Sequence, residues 1–500
     1  MIDATEDKLM MDEVQIDPRW ALCIPANLAL RQTVLPFASI DGEVLVACLS
    51  DKDTQALHAV EKYSMLPAKP IVADEESLRN SIQQIFGTNL SSARPAGASI
   101  RSIYQNAKAA GEPEADDLIA ICDDLINSAI IRGASDLHLC PEENEVRIRL
   151  RVNGSLEHFR TLGKNLQLPL CSRIKVLARL DIAERRAPQD GRLSIDIGDG
   201  NTIDIRVATI PTRHGERLTL RFLRKRSDLT LERLGMNADD LQAFNSAISK
   251  PHGLILLTGP TGSGKSTTLY AAIRKLIGQR KLNVITVEDP IEYEIEGVDQ
   301  VETDTADKVN FSKALRSVLR HDPDVLMLGE IRDAETASVA IKSALTGHLV
   351  FSTLHTNSAV NAVTRLVDMG VEPYLVGATL RLSVAQRLVT RACRKCRQEK
   401  TITIGEAKAL GNPELAGQTA FESAGCIFCA GTGVIGQVGL FELLSVSREL
   451  ARSISDGKPE TELAVQAASE GASTLTDDAI AKVREGETSL QQAIEVTSLW

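Results

Sequence analysis

A glycine-rich turn, Gly259-Pro260-Thr261-Gly262-Ser263-Gly264-Lys265-Ser266, fits the spacing G-x-x-x-x-G-K-[ST]. Its glycines free successive backbone N–H groups to face phosphate oxygens. Lys265 places a positive charge on the outer phosphates, and Ser266 offers a hydroxyl to Mg2+. Two acidic clusters follow, at Glu288-Asp289-Pro290-Ile291-Glu292 and at Glu330-Ile331-Arg332-Asp333. Phosphoryl transfer to water needs a cation on the β- and γ-oxygens and a group that orients the water. One Glu from each cluster can fill these roles, and the residues alone leave open which Glu takes which. Residues 346–357 carry His348 and His355, and an imidazole here could sense the γ-phosphate or order the site. Nearer the C-terminus stand two C-x-x-C pairs, Cys393 with Cys396 and Cys426 with Cys429. Two such pairs suit a closed tetrahedral Zn2+ site; the gap between them exceeds the roughly 15–20 residues of compact fingers, which an inserted loop explains. A redox pair is the rival reading. The other cysteines, Cys23, Cys48, Cys122, Cys140 and Cys171, are scattered and read as small buried hydrophobes.

These groups need a scaffold that brings strand ends together. The apolar runs 254–257, 284–287, 325–328 and 349–351 suit fully buried parallel strands, and helical segments separate them. The P-loop follows the first run and precedes a helical stretch, which is the setting the motif requires. Residues 231–390 therefore read as a doubly wound α/β core, with ligands outside the carboxyl ends of its strands. Upstream, residues 115–230 alternate apolar and basic residues, as in VRIRLRV at 146–152, and Asn153-Gly154 signals a hairpin. This predicts an α+β domain with a basic sheet face. Residues 1–90 read as a smaller α/β unit with a strand at 43–49 and helices at 53–63 and 75–86. Residues 91–114 read as a flexible linker. The zinc module is expected at 391–432 and a helical C-terminal region at 433–500.

Composition narrows the function. At 500 residues the chain has room for about three or four domains. A net charge of −11 and 3% aromatic residues give little purchase on nucleic acid. No apolar run approaches the ~20 residues of a membrane span, and the acidic N-terminus lacks a signal-peptide pattern. A cytoplasmic location follows, with membrane association through a partner.

Taken in order, these motifs resemble the type II secretion and type IV pilus assembly ATPase family, most fully over residues 115–445. Residues 259–267, including Thr267, match its Walker A; 285–292 its Asp box; 322–333 its Walker B; 345–357 its His box. Residues 134–138, 185–192 and 205–216 look like its second N-terminal domain. The resemblance implies a RecA-like P-loop ATPase core with a twisted parallel sheet, preceded by two α+β domains. It implies that Glu288 orients or deprotonates water, that Glu330 holds Mg2+, and that His355, with His348 a weaker candidate, contacts the phosphate region. Arg206 and Arg221 would reach the γ-phosphate of ATP, with Arg316, Arg320 and Arg332 as further candidates. It also implies a homo-hexamer, rotation of one domain against another during turnover, and docking of residues 1–90 on the cytoplasmic part of an inner-membrane platform protein. The tetracysteine insert marks assembly and secretion members rather than retraction members. Gln437 stands where the family usually has Arg, and Asn153 where it has Asp. Two rival functions remain in view: a nucleotide-gated scaffold without turnover, against which Glu288 and Glu330 argue, and a nucleic-acid motor, against which the charge argues.

Overall fold

A computed structural model describes residues 8–86, 103, 104, 107, 114–198, 201–223, 229–303 and 311–497. The linker expected at 91–114 lies almost wholly outside these residues. The chain divides into two units. The first comprises Met1–Arg224, Ala392–Gln398 and Ser423–Ile435; the second comprises Lys225–Arg391, Glu399–Glu422 and Gly436–Trp500.

The first unit begins with a small sheet of β1 (Leu35–Ile40), β2 (Glu43–Cys48) and β3 (Ala68–Val72), in that order. β1 and β2 are antiparallel around Asp41-Gly42, and β3 joins parallel after the helix Thr54–Ser64. The helix Glu75–Phe86 buries Leu78, Ile82, Ile85 and Phe86, one face of an α-helix. The helix Ala115–Ile131 then leads into β4 (Asp136–Pro141), β5 (Glu145–Val152), β6 (Ser155–Gly163), β7 (Gln189–Gly198), β8 (Asn201–Thr212) and β9 (Gly215–Leu223). They form a six-stranded sheet in the order β6-β5-β4-β9-β8-β7. On β5, Val146, Ile148, Leu150 and Val152 are buried while Arg147, Arg149 and Arg151 are half-exposed on the other face, as the alternation predicts. Asn153 and Gly154 both take positive φ, 49° and 87°, and close the β5–β6 hairpin.

The second unit is built on β10 (Gly253–Thr258), β11 (Val284–Glu288), β12 (Asp299–Glu302), β13 (Val325–Leu328), β14 (Leu349–Leu354) and β15 (Leu380–Ala392). After β16 (Arg397–Thr401) and β17 (Thr419–Ser423), which pair with each other, β18 (Val434–Ser445) completes the main sheet, in the order β12-β11-β13-β14-β10-β15-β18. The pairs β11/β12, β11/β13, β13/β14, β14/β10 and β10/β15 are parallel. Every residue of β10, β11, β13 and β14 is buried. The reason shows in β10: Leu254 and Leu256 enter one core with the helix Ala334–Leu345, and Ile255 and Leu257 enter another with the helix Lys265–Gln279. With both faces covered, alternation disappears from the sequence.

The segment 433–500, expected to be helical, opens instead with β18 and only then gives the helices Arg448–Ser455, Glu460–Ser469, Leu475–Arg484 and Leu490–Thr497. Its apolar run, with Val438, Leu440, Phe441, Leu443 and Leu444 buried, finds cover on the sheet beside β15.

Candidate nucleotide site and tetracysteine centre

The P-loop leaves the carboxyl end of β10, flanked by β14 and β15. Gly259 bonds from its N–H to the Leu354 carbonyl (3.3 Å) and has φ 146°; a Cβ there would meet the Gln386 carbonyl oxygen at 2.5 Å. Gly264 takes φ 89° at the N-cap of Lys265–Gln279, a position suited to glycine. The loop therefore lies close against β15, where Gln386 accepts from Thr268 Oγ1 (2.8 Å) and Arg387 donates to the carbonyls of Gln386 (2.9 Å) and Asn357 (3.2 Å). Pro260, Thr261, Gly262 and Ser266 are exposed, Thr267 is half-buried and Ser263 is buried. The buried Lys265 ammonium donates to the carbonyls of Gly259 (2.6 Å) and Pro260 (3.0 Å). Burial draws its pKa down to about 8; Glu330 pulls the other way and Arg387 adds to the fall.

Because β11, β13, β14 and β10 run parallel, Glu288, Glu330, His355 and the P-loop all stand at one sheet edge. Glu330 accepts from Arg332, and His355 Nε2 lies 3.2 Å from Glu330 Oε2. Arg332 also reaches Asp289 (3.4 Å). Thr258 ties the end of β10 to Thr356, donating to its carbonyl (2.8 Å) and accepting from its N–H (2.9 Å).

Glu288 sits differently. It is 4% exposed, and its carboxylate accepts from three side chains: Tyr270 at Oε2, Thr286 (2.6 Å) and Gln300 (3.1 Å) at Oε1. Burial pushes its pKa up, against the pull of these donors. An ionised carboxylate has about four acceptor sites, so one remains, on Oε2.

His348 stands at the start of β14, bonded to the Ser343 carbonyl (3.0 Å). The six residues of β14 separate it from His355, roughly 20 Å along an extended strand, so it belongs to the opposite sheet edge. Arg316 pairs with Glu335 (2.6 Å), and Arg320 donates to the Arg316 carbonyl (3.1 Å). In the first unit, Arg192, Arg206 and Arg221 lie in one transverse register across β7, β8 and β9, and Arg221 donates to Asp136 (2.9 Å).

Tyr270, Thr286, Gln300, Gln386 and Arg387 escaped the sequence reading. Two signals were present: Gln386-Arg387 interrupts an apolar run, and Thr286 shares a strand face with Glu288 at a spacing of two.

The sulfurs of Cys393, Cys396, Cys426 and Cys429 lie within 4.8 Å of one another. The Cys393–Cys426, Cys396–Cys429 and Cys426–Cys429 separations are 3.8, 3.9 and 3.8 Å. A tetrahedral Zn2+ with Zn–S bonds of about 2.3 Å requires sulfur–sulfur edges of about 3.8 Å. These are too long for disulfides, for which about 2.05 Å is required. Backbone N–H groups of Cys426 (3.1 Å) and Gly433 (3.2 Å) point at the Cys429 sulfur, as suits a thiolate. The donor set fits zinc.

Comparison with known proteins agrees with this architecture. The chain is 40% identical to "Type II secretion system protein E" of Pseudomonas aeruginosa over 488 residues, covering 95% of this chain and 96% of that protein. It is 44% identical to "Type II secretion system ATPase E" of Vibrio cholerae over 397 residues, 77% of this chain and 78% of that one. Among solved structures, the pilus retraction motor PilT with bound ADP superposes with a TM-score of 0.52 at 26% identity, over 75% of this chain and 96% of that one. Residues 11–92 match the MshEN domain. Residues 112–495 match the family described as type II/IV secretion system protein, and to that family this chain belongs.

Proposed function

We propose that the protein is a Mg-dependent ATPase whose turnover drives pseudopilus or pilus extension from the cytoplasmic face of an inner membrane. The observation that carries this reading is the shared sheet edge, where Glu330 accepts from Arg332 and lies 3.2 Å from His355, beside the P-loop. Such a cluster of alternating charge suits a triphosphate better than an inert loop, because its cations match the developing negative charge and its carboxylate can serve a metal.

Lys265 would leave its two loop carbonyls for the outer phosphates. Ser266 and Glu330 would hold Mg2+, which supplies charge neutralisation on the β- and γ-oxygens. Glu288 would use its remaining Oε2 site to accept a proton from the attacking water, its raised pKa bringing it nearer the range of a working base. Arg206 and Arg221 would contribute from the first unit. The names of the relatives support a secretion motor, and the family resemblance supports a homo-hexamer whose residues 1–90 dock on a platform protein. Among the described residues no helix is long and apolar enough to cross a membrane. The four cysteines would hold one Zn2+.

Purified full-length protein with Mg-ATP should release phosphate steadily. Lys265→Ala and Glu330→Gln should each lower the rate by about 100-fold or more. Undiminished release by both variants would remove the site from consideration.

A further inference from the structure

The tetracysteine loops do more than bind one another. Within the first unit they face the N-terminal segment that precedes β1. Gln15 donates from its N–H to the Phe428 carbonyl (2.8 Å). In the amide orientation that satisfies both its ends, the Gln15 side-chain nitrogen donates to the carbonyls of Cys429 (3.3 Å) and Val434 (3.1 Å). Ile427, Phe428 and Ala430 pack against the hydrophobic core that joins Leu9, Met11 and Val14 to β1 and β2. Lys395, between Cys393 and Cys396, lies 3.3 Å from Glu13 and 4.8 Å from the centre of the Phe428 ring. Both C-x-x-C turns thus contribute to one contact.

We propose that these turns form the docking surface for the chain's own N-terminal domain, residues 8–86, and that zinc occupancy and docking are thermodynamically coupled. The inference rests on the reading of the four cysteines as a zinc site. Zinc fixes the two turns against each other; without that cross-link neither the Phe428 side chain nor the Cys429 carbonyl is held where the N-terminal segment needs it. Coupling is reciprocal, so the docked domain tightens zinc binding by the same free energy, and a slower release of the metal reports it. The apolar packing and the Gln15 bonds carry the contact. The Lys395–Glu13 pair is exposed on both sides and contributes little.

The test uses full-length protein loaded with zinc. Metal content is measured first, then the rate of zinc transfer to a colorimetric chelator, then amide hydrogen exchange in peptides from residues 9–48. Phe428→Ser should keep one equivalent of zinc, lose it at least about fivefold faster and expose the N-terminal peptides to faster exchange. Gln15→Ala, on the N-terminal side and outside the four cysteines, should shift zinc release in the same direction even if Phe428→Ser fails to fold. Wild-type protein stripped of zinc should show the same rise in exchange. Bound zinc with unchanged release in Gln15→Ala, and N-terminal exchange indifferent to metal, overturns the coupling alone. Absence of any bound zinc overturns both the coupling and the zinc site.

Discussion

The phenol of Tyr270 donates its proton to Oε2 of Glu288, and both groups are buried. Tyr270 comes from the helix that begins at Lys265, so the helix proposed to receive the phosphates also holds the carboxylate proposed to act on water. The same hydroxyl accepts from the Glu292 N–H (3.3 Å), and the ring meets Tyr293 edge-on with centroids 4.6 Å apart. On that proposal Tyr270 is a positioning residue, its hydroxyl spent on Glu288 and the Glu292 N–H.

Tyr270→Phe keeps the ring and removes the donor. Losing one hydrogen bond to a charged group corresponds to about a tenfold fall in kcat at neutral pH, with KM for ATP nearly unchanged. The pH profile separates positioning from mere packing. Burial already raises the Glu288 pKa, and Thr286, Tyr270 and Gln300 lower it, while Glu292 raises it further. Without the phenol it rises again. A base works only when deprotonated, so the acid limb of kcat should move to higher pH. Thr286→Val should move it in the same direction from Oε1. An acid limb fixed at its wild-type position in both variants would refute the positioning role.

Lys265 gives a second pH signature. With its pKa near 8 in the nucleotide-free protein, the ammonium loses its charge as pH rises above that value. A bound triphosphate favours the charged form, so binding above pH 8 takes up a proton. Nucleotide Kd should be flat below pH 8 and rise about tenfold per pH unit above it, until the bound-state pKa is passed. The stability of the free protein should move oppositely. The folded pKa lies below the unfolded one, so the unfolded chain binds more protons between about pH 8 and 10.5, and the folded state gains stability across that window. Titrating nucleotide affinity and the urea midpoint over pH 7–10.5 checks both signs, over a span set by these two pKa values.

Much of this was legible in the sequence, and what was not has physical causes. The runs in β10, β11, β13 and β14 stood out because burial on both faces makes them continuously apolar. The ends of those strands followed directly, and with them Glu330, His355 and Lys265. The partners of Glu288 were hidden because they come from three elements: Tyr270 from a helix, Thr286 from the same strand and Gln300 from β12. Sequence spacing does not report which side chains meet across a sheet. β18 was hidden for a related reason: its residues find their partner, β15, only after the intervening β16–β17 excursion. His348 and His355 look equivalent as letters, yet the strand between them puts them at opposite sheet edges.

Arg387 braces the P-loop from below. It is 5% exposed and donates to the Gln386 and Asn357 carbonyls, and a Cβ on Gly259 would lie 2.8 Å from its Nη1. Its charge also offsets the burial that raises the Glu442 pKa. Arg387→Leu would strip the buried Gln386 carbonyl and the part-buried Asn357 carbonyl of a donor and leave Glu442 without that charge, a cost on the order of 3 kcal/mol. Chemical denaturation should show this loss, and nucleotide affinity should weaken because the loop's support on β15 is gone. Glu442→Gln, which keeps an acceptor for the Ala359 N–H (2.7 Å), should cost far less. Equal losses from the two substitutions would mean that the Glu442 charge, and not the support Arg387 gives the loop, accounts for the cost.

A buried ion pair fixes the first unit in a comparable way. Lys175 is 1% exposed, lies 2.5 Å from Glu216 Oε1, and donates to the Glu184 carbonyl (2.6 Å). It thus ties the start of β9 to the segment that carries Arg185 and Arg186. Removing either charge alone leaves the other buried without its partner, which typically costs about 3–5 kcal/mol. Lys175→Met and Glu216→Leu should each fall in that range by urea denaturation. The double variant should recover much of the loss, because apolar side chains of similar volume escape the desolvation of two charges. The carbonyl of Glu184 would still lack its donor, so recovery should stop short of wild type by about 1–3 kcal/mol. Additive losses in the double variant would show that the two side chains do not act as a pair. Full recovery would show that the bond to Glu184 carries no weight in holding the arginine-bearing segment.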